Sequence, residues 1–249
     1  MRKSLIAGNW KMYKTPTESI NFVNELIKNF KNYDDRDVLI CPPFTSLYPI
    51  SHIIKKTNIK LGAQNVYFED EGAYTGEISP LMLKDIGVEY VICGHSERRN
   101  IFGETDEIIN KKVKKVAEVG MRPILCVGEK IEEREKGLTF KVVENQIRKS
   151  LKDFKKVENL VIAYEPVWAI GTGKTALPSQ AEEVHIFIRE LISKMFNNEI
   201  AENLLILYGG SVKPENIDSL MKEKNIDGVL VGGACLKTDS FLRIIDYKI

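Results

Sequence analysis

The sequence predicts one α/β domain, residues 1–249, folded as a (β/α)8 barrel. Three observations point there. Short apolar runs alternate with longer amphipathic segments from end to end. Eight repeats of roughly 30 residues match the typical barrel length of about 250. No Ser/Gly/Pro-rich linker or shift in composition divides the chain. An open doubly wound sheet is the other architecture that such alternation allows, but it more often has fewer strands for its length.

The first run, residues 4–10, is followed by Thr15-Pro16-Thr17-Glu18, a capping box with proline at the first helical position. Ile20, Val23, Ile27 and Phe30 then recur at helical spacing. Runs at 38–41, 59–63, 90–93 and 123–127 follow, each of strand length and rich in Val, Ile or Leu. Between the last two, Ile109, Val113, Val116 and Ala117 mark a helix. After the run at 160–164, Ser179-Gln180-Ala181-Glu182 fits a second capping box. The helix it opens carries Val184, Phe187, Ile188, Leu191, Ile192 and Met195. Runs at 204–207 and 228–231 complete the set, with Pro214 expected in the first turn of the helix between them.

Composition narrows the function. The chain has 36 Lys+Arg against 35 Asp+Glu, a formal net charge of +1, with 43% apolar and 29% charged residues. That balance excludes intrinsic disorder as the main state and argues against a protein built to coat nucleic acid or an anionic membrane. Only residues 5–7 resemble the start of a signal-peptide core, and Asn9 and Lys11 interrupt it. The expectation is a soluble cytoplasmic protein that starts near Met1. Cys41, Cys93, Cys126 and Cys235 form no C-x-x-C or C-x-x-H pair, and the first three sit inside apolar runs. They read as reduced, buried thiols, and no metal is expected.

In a barrel the site lies at the C-terminal ends of the strands. The polar residues directly after the runs therefore matter: Asn9 and Lys11, Gln64 and Asn65, His95, Glu165, Gly209-Gly210-Ser211 and Gly232-Gly233. Glu165 suits a general base beside apolar groups, although alone it also reads as a surface carboxylate opening a loop. His95 suits a proton shuttle or a structural hydrogen-bonder. Lys11 suits charge neutralisation, against the plainer reading of a solvated lysine. Glycine turns after the last two strands are where barrels commonly hold phosphate. Pro166-Val167-Trp168-Ala169-Ile170-Gly171-Thr172-Gly173-Lys174-Thr175-Ala176 is long for a βα loop and apolar enough to close over something as a lid. Residues 65–77 form another long loop, a candidate flap or subunit contact.

Three motif matches fail. Arg98 stands where a nucleophile elbow needs glycine. Trp168 stands where a Walker A loop needs its first glycine. The G-x-G-x-x-A match at Gly171 starts several residues beyond its strand, past a proline.

Taken together, Ala7-Gly8-Asn9-Trp10-Lys11-Met12, Gly62-Ala63-Gln64-Asn65, 74–80, Gly94-His95-Ser96-Glu97-Arg98-Arg99, 163–173, Tyr208-Gly209-Gly210-Ser211-Val212 and Val231-Gly232-Gly233-Ala234 resemble the motifs of the triosephosphate isomerase family, in order along essentially the whole chain. The resemblance implies a glycolytic and gluconeogenic isomerase of dihydroxyacetone phosphate and D-glyceraldehyde 3-phosphate, working through an enediolate without metal or organic cofactor. It implies Glu165 as base, a neutral His95 at the carbonyl, and Lys11 and Asn9 at the developing oxyanion, with Glu97 in support. It implies phosphate held by Gly171, Ser211, Gly232 and Gly233 under the 166–176 lid, with Tyr208–Ser211 shifting as it closes. It implies a homodimer in which the 65–77 loop carries Thr75 to the neighbour's site and Met12 lies at the contact. Tyr13 departs from the usual Asn, and Cys235 from a common Ser. Two other readings remain open at this level. One is a barrel enzyme of larger phosphosugars; the other is a binding protein that kept the fold without turnover.

Overall fold

The computed structural model describes residues 2–169 and 176–248. Eight strands pair in parallel in chain order: β1 (Ser4–Asn9), β2 (Arg36–Cys41), β3 (Ile59–Ala63), β4 (Tyr90–Cys93), β5 (Arg122–Val127), β6 (Val161–Tyr164), β7 (Leu205–Tyr208) and β8 (Gly228–Val231). β8 pairs back onto β1, with Ala7 opposite both Leu39 and Leu230, so the sheet closes. The barrel is the one expected, and closure leaves no strand edge unpaired.

Alternation along the strands makes two cores. Leu5, Ala7, Leu39, Cys41, Tyr90, Ile92, Ile124, Cys126, Val161, Ala163, Leu207 and Leu230 fill the interior. Their neighbours, such as Ile6, Ile40, Val91 and Ile162, face the surrounding helices. The barrel is therefore a packed core rather than a pore.

The helices are α1 (Pro16–Asn29), α2 (Phe44–Ile54), α3 (Pro80–Asp85), α4 (Ser96–Asn100), α5 (Asp106–Glu118), α6 (Ile131–Glu135), α7 (Thr139–Ser150), α8 (Pro178–Met195), α9 (Asn198–Asn203), α10 (Ile217–Met221) and α11 (Thr238–Ile245). The first capping box is formed: Thr15 Oγ1 accepts from Glu18 N, and Glu18 Oε2 accepts from Thr15 N at 2.7 Å. The apolar stripe of α1 runs through Phe22, Val23 and Leu26, which leaves Ile20 at its margin. α5 buries Ile109, Val113, Val116 and Ala117, as its spacing required.

Two helix starts differ from expectation. α8 begins one residue before Ser179, with proline first and Leu177 as cap; Gln180 Oε1 accepts from Leu177 N at 3.0 Å. Proline's fixed φ starts the helix early, so Gln180 occupies the place expected of Glu182. Pro214 lies in the turn before α10, which starts at Ile217. Strand ends shift by one or two residues: β2 starts at Arg36, and β7 ends at Tyr208. All four cysteines are free and buried, Cys235 among them.

Residues 64–79 connect β3 to α3 without helix or strand, and their fold is held by specific contacts. Tyr67 stacks on Phe68 and tilts against Tyr74; Lys112 donates to Asn65 Oδ1 at 2.7 Å; Lys115 pairs with Asp70 at 2.7 Å. Thr75 stands exposed at the far end.

Candidate active site

Asn9, Lys11, His95, Glu165, Ser211, Gly232 and Gly233 line one cavity of about 750 Å³ at the C-terminal mouth, floored by Leu230. The convergence follows from closure: each residue ends a parallel strand or starts the loop after it. Lys213 and Lys237 also line the cavity, and neither carries a motif that marks it in the sequence. Gly171, with the rest of residues 170–175 of the expected lid, lies outside the described residues.

Glu165 follows β6 and is 1% exposed. Its backbone N–H donates to Val127 O at 2.7 Å, fixing it to the end of β5. Its Oε2 accepts from Ser96 N at 2.8 Å. Its Oε1 has no hydrogen-bond donor among the described residues, although His95 Nε2 lies 3.1 Å away, out of line for a good bond. A buried carboxylate with one anchored and one unengaged oxygen is suited to accept a proton. Gly209 makes room for it: a Cβ there would stand 2.8 Å from Glu165 Cγ. The glycine expected as part of an anion turn thus also has a steric reason. Cys126 lies beside this carboxylate, and burial first, then the Glu165 charge, raises the thiol well above its ordinary pKa.

His95 caps α4 and is 5% exposed. Its Nδ1 accepts from Glu97 N at 3.2 Å. A nitrogen that accepts carries no proton, so the ring hydrogen sits on Nε2, which faces Glu165. The sequence could not give this tautomer.

Lys11 leaves β1 in the left-handed region, with φ at 52°. Its N–H donates to Asn9 Oδ1 at 3.0 Å, and its Nζ meets Glu97 Oε1 at 2.6 Å. Glu97 thus holds Lys11 through its carboxylate and His95 through its own backbone N–H, and its side chain stays part exposed. At the far side of the mouth, Gly233–Leu236 forms a 3₁₀ turn directly after β8.

Residues 166–169 of the expected lid lie within the described residues. Val167–Ala169 form a 3₁₀ turn, and Trp168 Nε1 donates to Glu129 Oε1 at 2.9 Å. Glu129 is fully buried and also takes Tyr164 Oη at 3.1 Å and Arg134 Nη1 at 3.2 Å. Arg134 stands over the Trp168 ring at 4.7 Å. Sequence reasoning missed Glu129 as an anchor. The signal was present, because Glu129 follows β5 by two residues and so obeys the strand-end rule.

Met12 and Thr75 do not line the cavity. Met12 is 94% exposed, and Tyr13, Tyr74, Met82, Ile101 and Phe102 are exposed as well.

The chain matches a family model described as Triosephosphate isomerase over residues 4–248. It is 60% identical to a triosephosphate isomerase of Carboxydothermus hydrogenoformans, with 98% of each chain covered. It is 55% identical to one from Dictyoglomus thermophilum, covering 98% of this chain and 99% of the other. It is 53% identical to one from Fusobacterium nucleatum, covering 98% of each.

Proposed function

The chain belongs to the triosephosphate isomerase family and interconverts dihydroxyacetone phosphate and D-glyceraldehyde 3-phosphate, and from that premise we propose the following division of labour in the cavity. Glu165 takes a proton from the carbon beside the substrate carbonyl. The unengaged, buried Oε1 is the observation that carries this role. The carbon is weakly acidic, so negative charge on the enediolate oxygens must be met as it forms. The Nε2–H of His95 donates to those oxygens and moves protons between them. Lys11 supplies the countercharge, Asn9 holds the Lys11 backbone and positions substrate, and Glu97 keeps the ammonium in place. The proton returns to the neighbouring carbon and no net oxidation occurs, so the reaction calls for no cofactor or metal.

The phosphate sits against Ser211, Gly232 and Gly233, with Gly171 closing from the lid. The lid excludes water from the enediolate, which otherwise can expel phosphate. Tyr208–Ser211 shift with it. The hydrogen bond from Trp168 to Glu129 supports a lid whose first turn is anchored on a buried carboxylate.

The enzyme works as a homodimer through the 65–77 loop, which brings Thr75 to the neighbour's Asn9 and His95. The exposure of Met12 and of Tyr74, which stands next to Thr75, supports a contact made through apolar side chains. Its compartment is the cytoplasm, a reading supported by four free buried thiols. No helix among the described residues is long and apolar enough to cross a membrane. No partnership with nucleic acid is proposed, in keeping with the net charge of +1. The alternatives of a larger phosphosugar or a turnover-free binding protein find no support in relatives that share the triosephosphate isomerase name.

Glu165→Gln tests the base. It is expected to keep 2-phosphoglycolate binding and to slow turnover at least about 10²-fold, the low end for losing a positioned base. An unchanged steady-state rate would remove the assignment. Thr75→Glu tests the dimer: sedimentation and activity should fall together, and a fully active monomer would end the cross-subunit reading.

A further inference from the structure

We propose that Gln64 is a positioning residue for the reaction: its amide holds Lys11 in the one backbone conformation that turns the ammonium into the cavity. The inference rests on the role given to Lys11 above and extends it to a side chain outside the cavity lining.

Gln64 directly follows β3 and reaches two other strand ends. Its Nε2 donates to Lys11 O at 2.8 Å and to Cys41 O at 2.8 Å. Both neighbours are carbonyl oxygens, so only the NH₂ end of the amide can face them. The two hydrogens of one nitrogen thus tie the chain just past β1 to the last residue of β2.

The tie matters because of what Lys11 must do. A lysine with φ at 52° is in the left-handed region, which L-residues other than Asn and Asp seldom adopt. Asn9 Oδ1 holds the Lys11 N–H from one side, and Gln64 holds the Lys11 carbonyl from the other. With both peptide groups pinned, the side chain has one exit. It passes Gly232, where a Cβ would stand 3.4 Å from Lys11 Cε, and ends on Glu97. Without the Gln64 donor, the Lys11 and Cys41 carbonyls each lose this partner. The backbone then relaxes toward negative φ, which swings the side chain off the Gly232 track. A flexible lysine that is free to wander loses its countercharge for substrate, however intact the barrel remains.

Acting through Lys11 makes the role separable from plain support of the fold. The test is the affinity of the purified full-length enzyme for 2-phosphoglycolate, with Gln64→Leu placed in the native and in the Lys11→Met background. Gln64→Leu is expected to weaken binding about tenfold or more in the native background, and by less than about twofold where the ammonium is already gone. An equal loss in both backgrounds would show a general structural role and overturn the proposal, as would native-like binding by Gln64→Leu. If Gln64→Leu does not fold, Gln64→Glu is read in the same two backgrounds. It keeps the side-chain volume and turns a carboxylate toward the two carbonyls. Lys11→Met alone binding as tightly as the native enzyme would overturn the ammonium's role first, and the two failures are thereby told apart.

Discussion

The barrel has two mouths, and the charges at each are used differently. At the N-terminal mouth they are matched. Lys3 pairs with Asp37 at 2.8 Å, Lys60 with Glu89 at 2.8 Å, and Arg122 donates to Tyr90 Oη at 2.8 Å. Asp227, just before β8, is gripped by Arg2 on one oxygen and by Arg189 and Ile206 N on the other. Arg189 also donates to the carbonyls of Ala201 and Leu204 and to Asn225. At the C-terminal mouth Lys11 is paired with Glu97, but Glu165 keeps a buried oxygen without a donor, and Lys213 and Lys237 have no carboxylate within ion-pair distance among the described residues. Satisfied charges hold a fold together; incompletely satisfied ones store interaction for something that arrives later.

The sharpest way to break this contrast is Arg189→Met. Arg189 and Asp227 are both nearly buried, with side chains 9% and 5% exposed. Removing one partner leaves an under-compensated charge and should cost about 3–5 kcal/mol in denaturant unfolding. The folded fraction should retain its kcat/KM. A large loss of turnover per folded molecule would mean that the two mouths are coupled.

Glu165→Gln is the mirror experiment. It should cost the rate given above while unfolding at a temperature no lower than native, because the amide removes a buried charge that the fold does not fully satisfy. Marked thermal destabilisation would mean that Glu165 is structural after all.

An effect spread over several pH units, and modest at any one of them, tests the wall between the mouths. His185 is fully buried on α8, facing Asn225 O at 3.1 Å and the Tyr164 ring, with Arg189 nearby. Burial, foremost, pushes its imidazole down from 6.5 to about 3. The unfolded chain takes up this proton near 6.5 and the folded one does not. The stability due to a neutral His185 is therefore full above 6.5 and drains as pH falls toward 3. His185→Gln should flatten the stability–pH curve in that window by up to about 1.4 kcal/mol per pH unit. An unchanged slope would show that the ring is not excluded from titration by the fold.

Much of the site is legible in the order of residues alone. Asn9, Lys11, His95 and Glu165 each follow a strand run, and parallel closure brings every such residue to one rim. What escapes is the support. Glu129 meets Trp168 across 39 positions, and Ser96 holds Glu165 through a backbone N–H across 69. No local pattern encodes those pairs, since they depend on which way side chains leave strands that are far apart in sequence. The helix starts are legible only in part. Thr15 caps as its motif says, while at Ser179 the box is displaced because Pro178, whose φ is already near the helical value, takes the first position of α8.

The sequence by itself determined the period of strands and helices, the alternation that fills the barrel, and the residue types at each strand end, because those depend on neighbours a few positions apart. Only tertiary structure decided the proton position on His95, the bare oxygen of Glu165 and the bent backbone of Lys11. Each is set by donors and acceptors that the closed sheet brings from elsewhere in the chain.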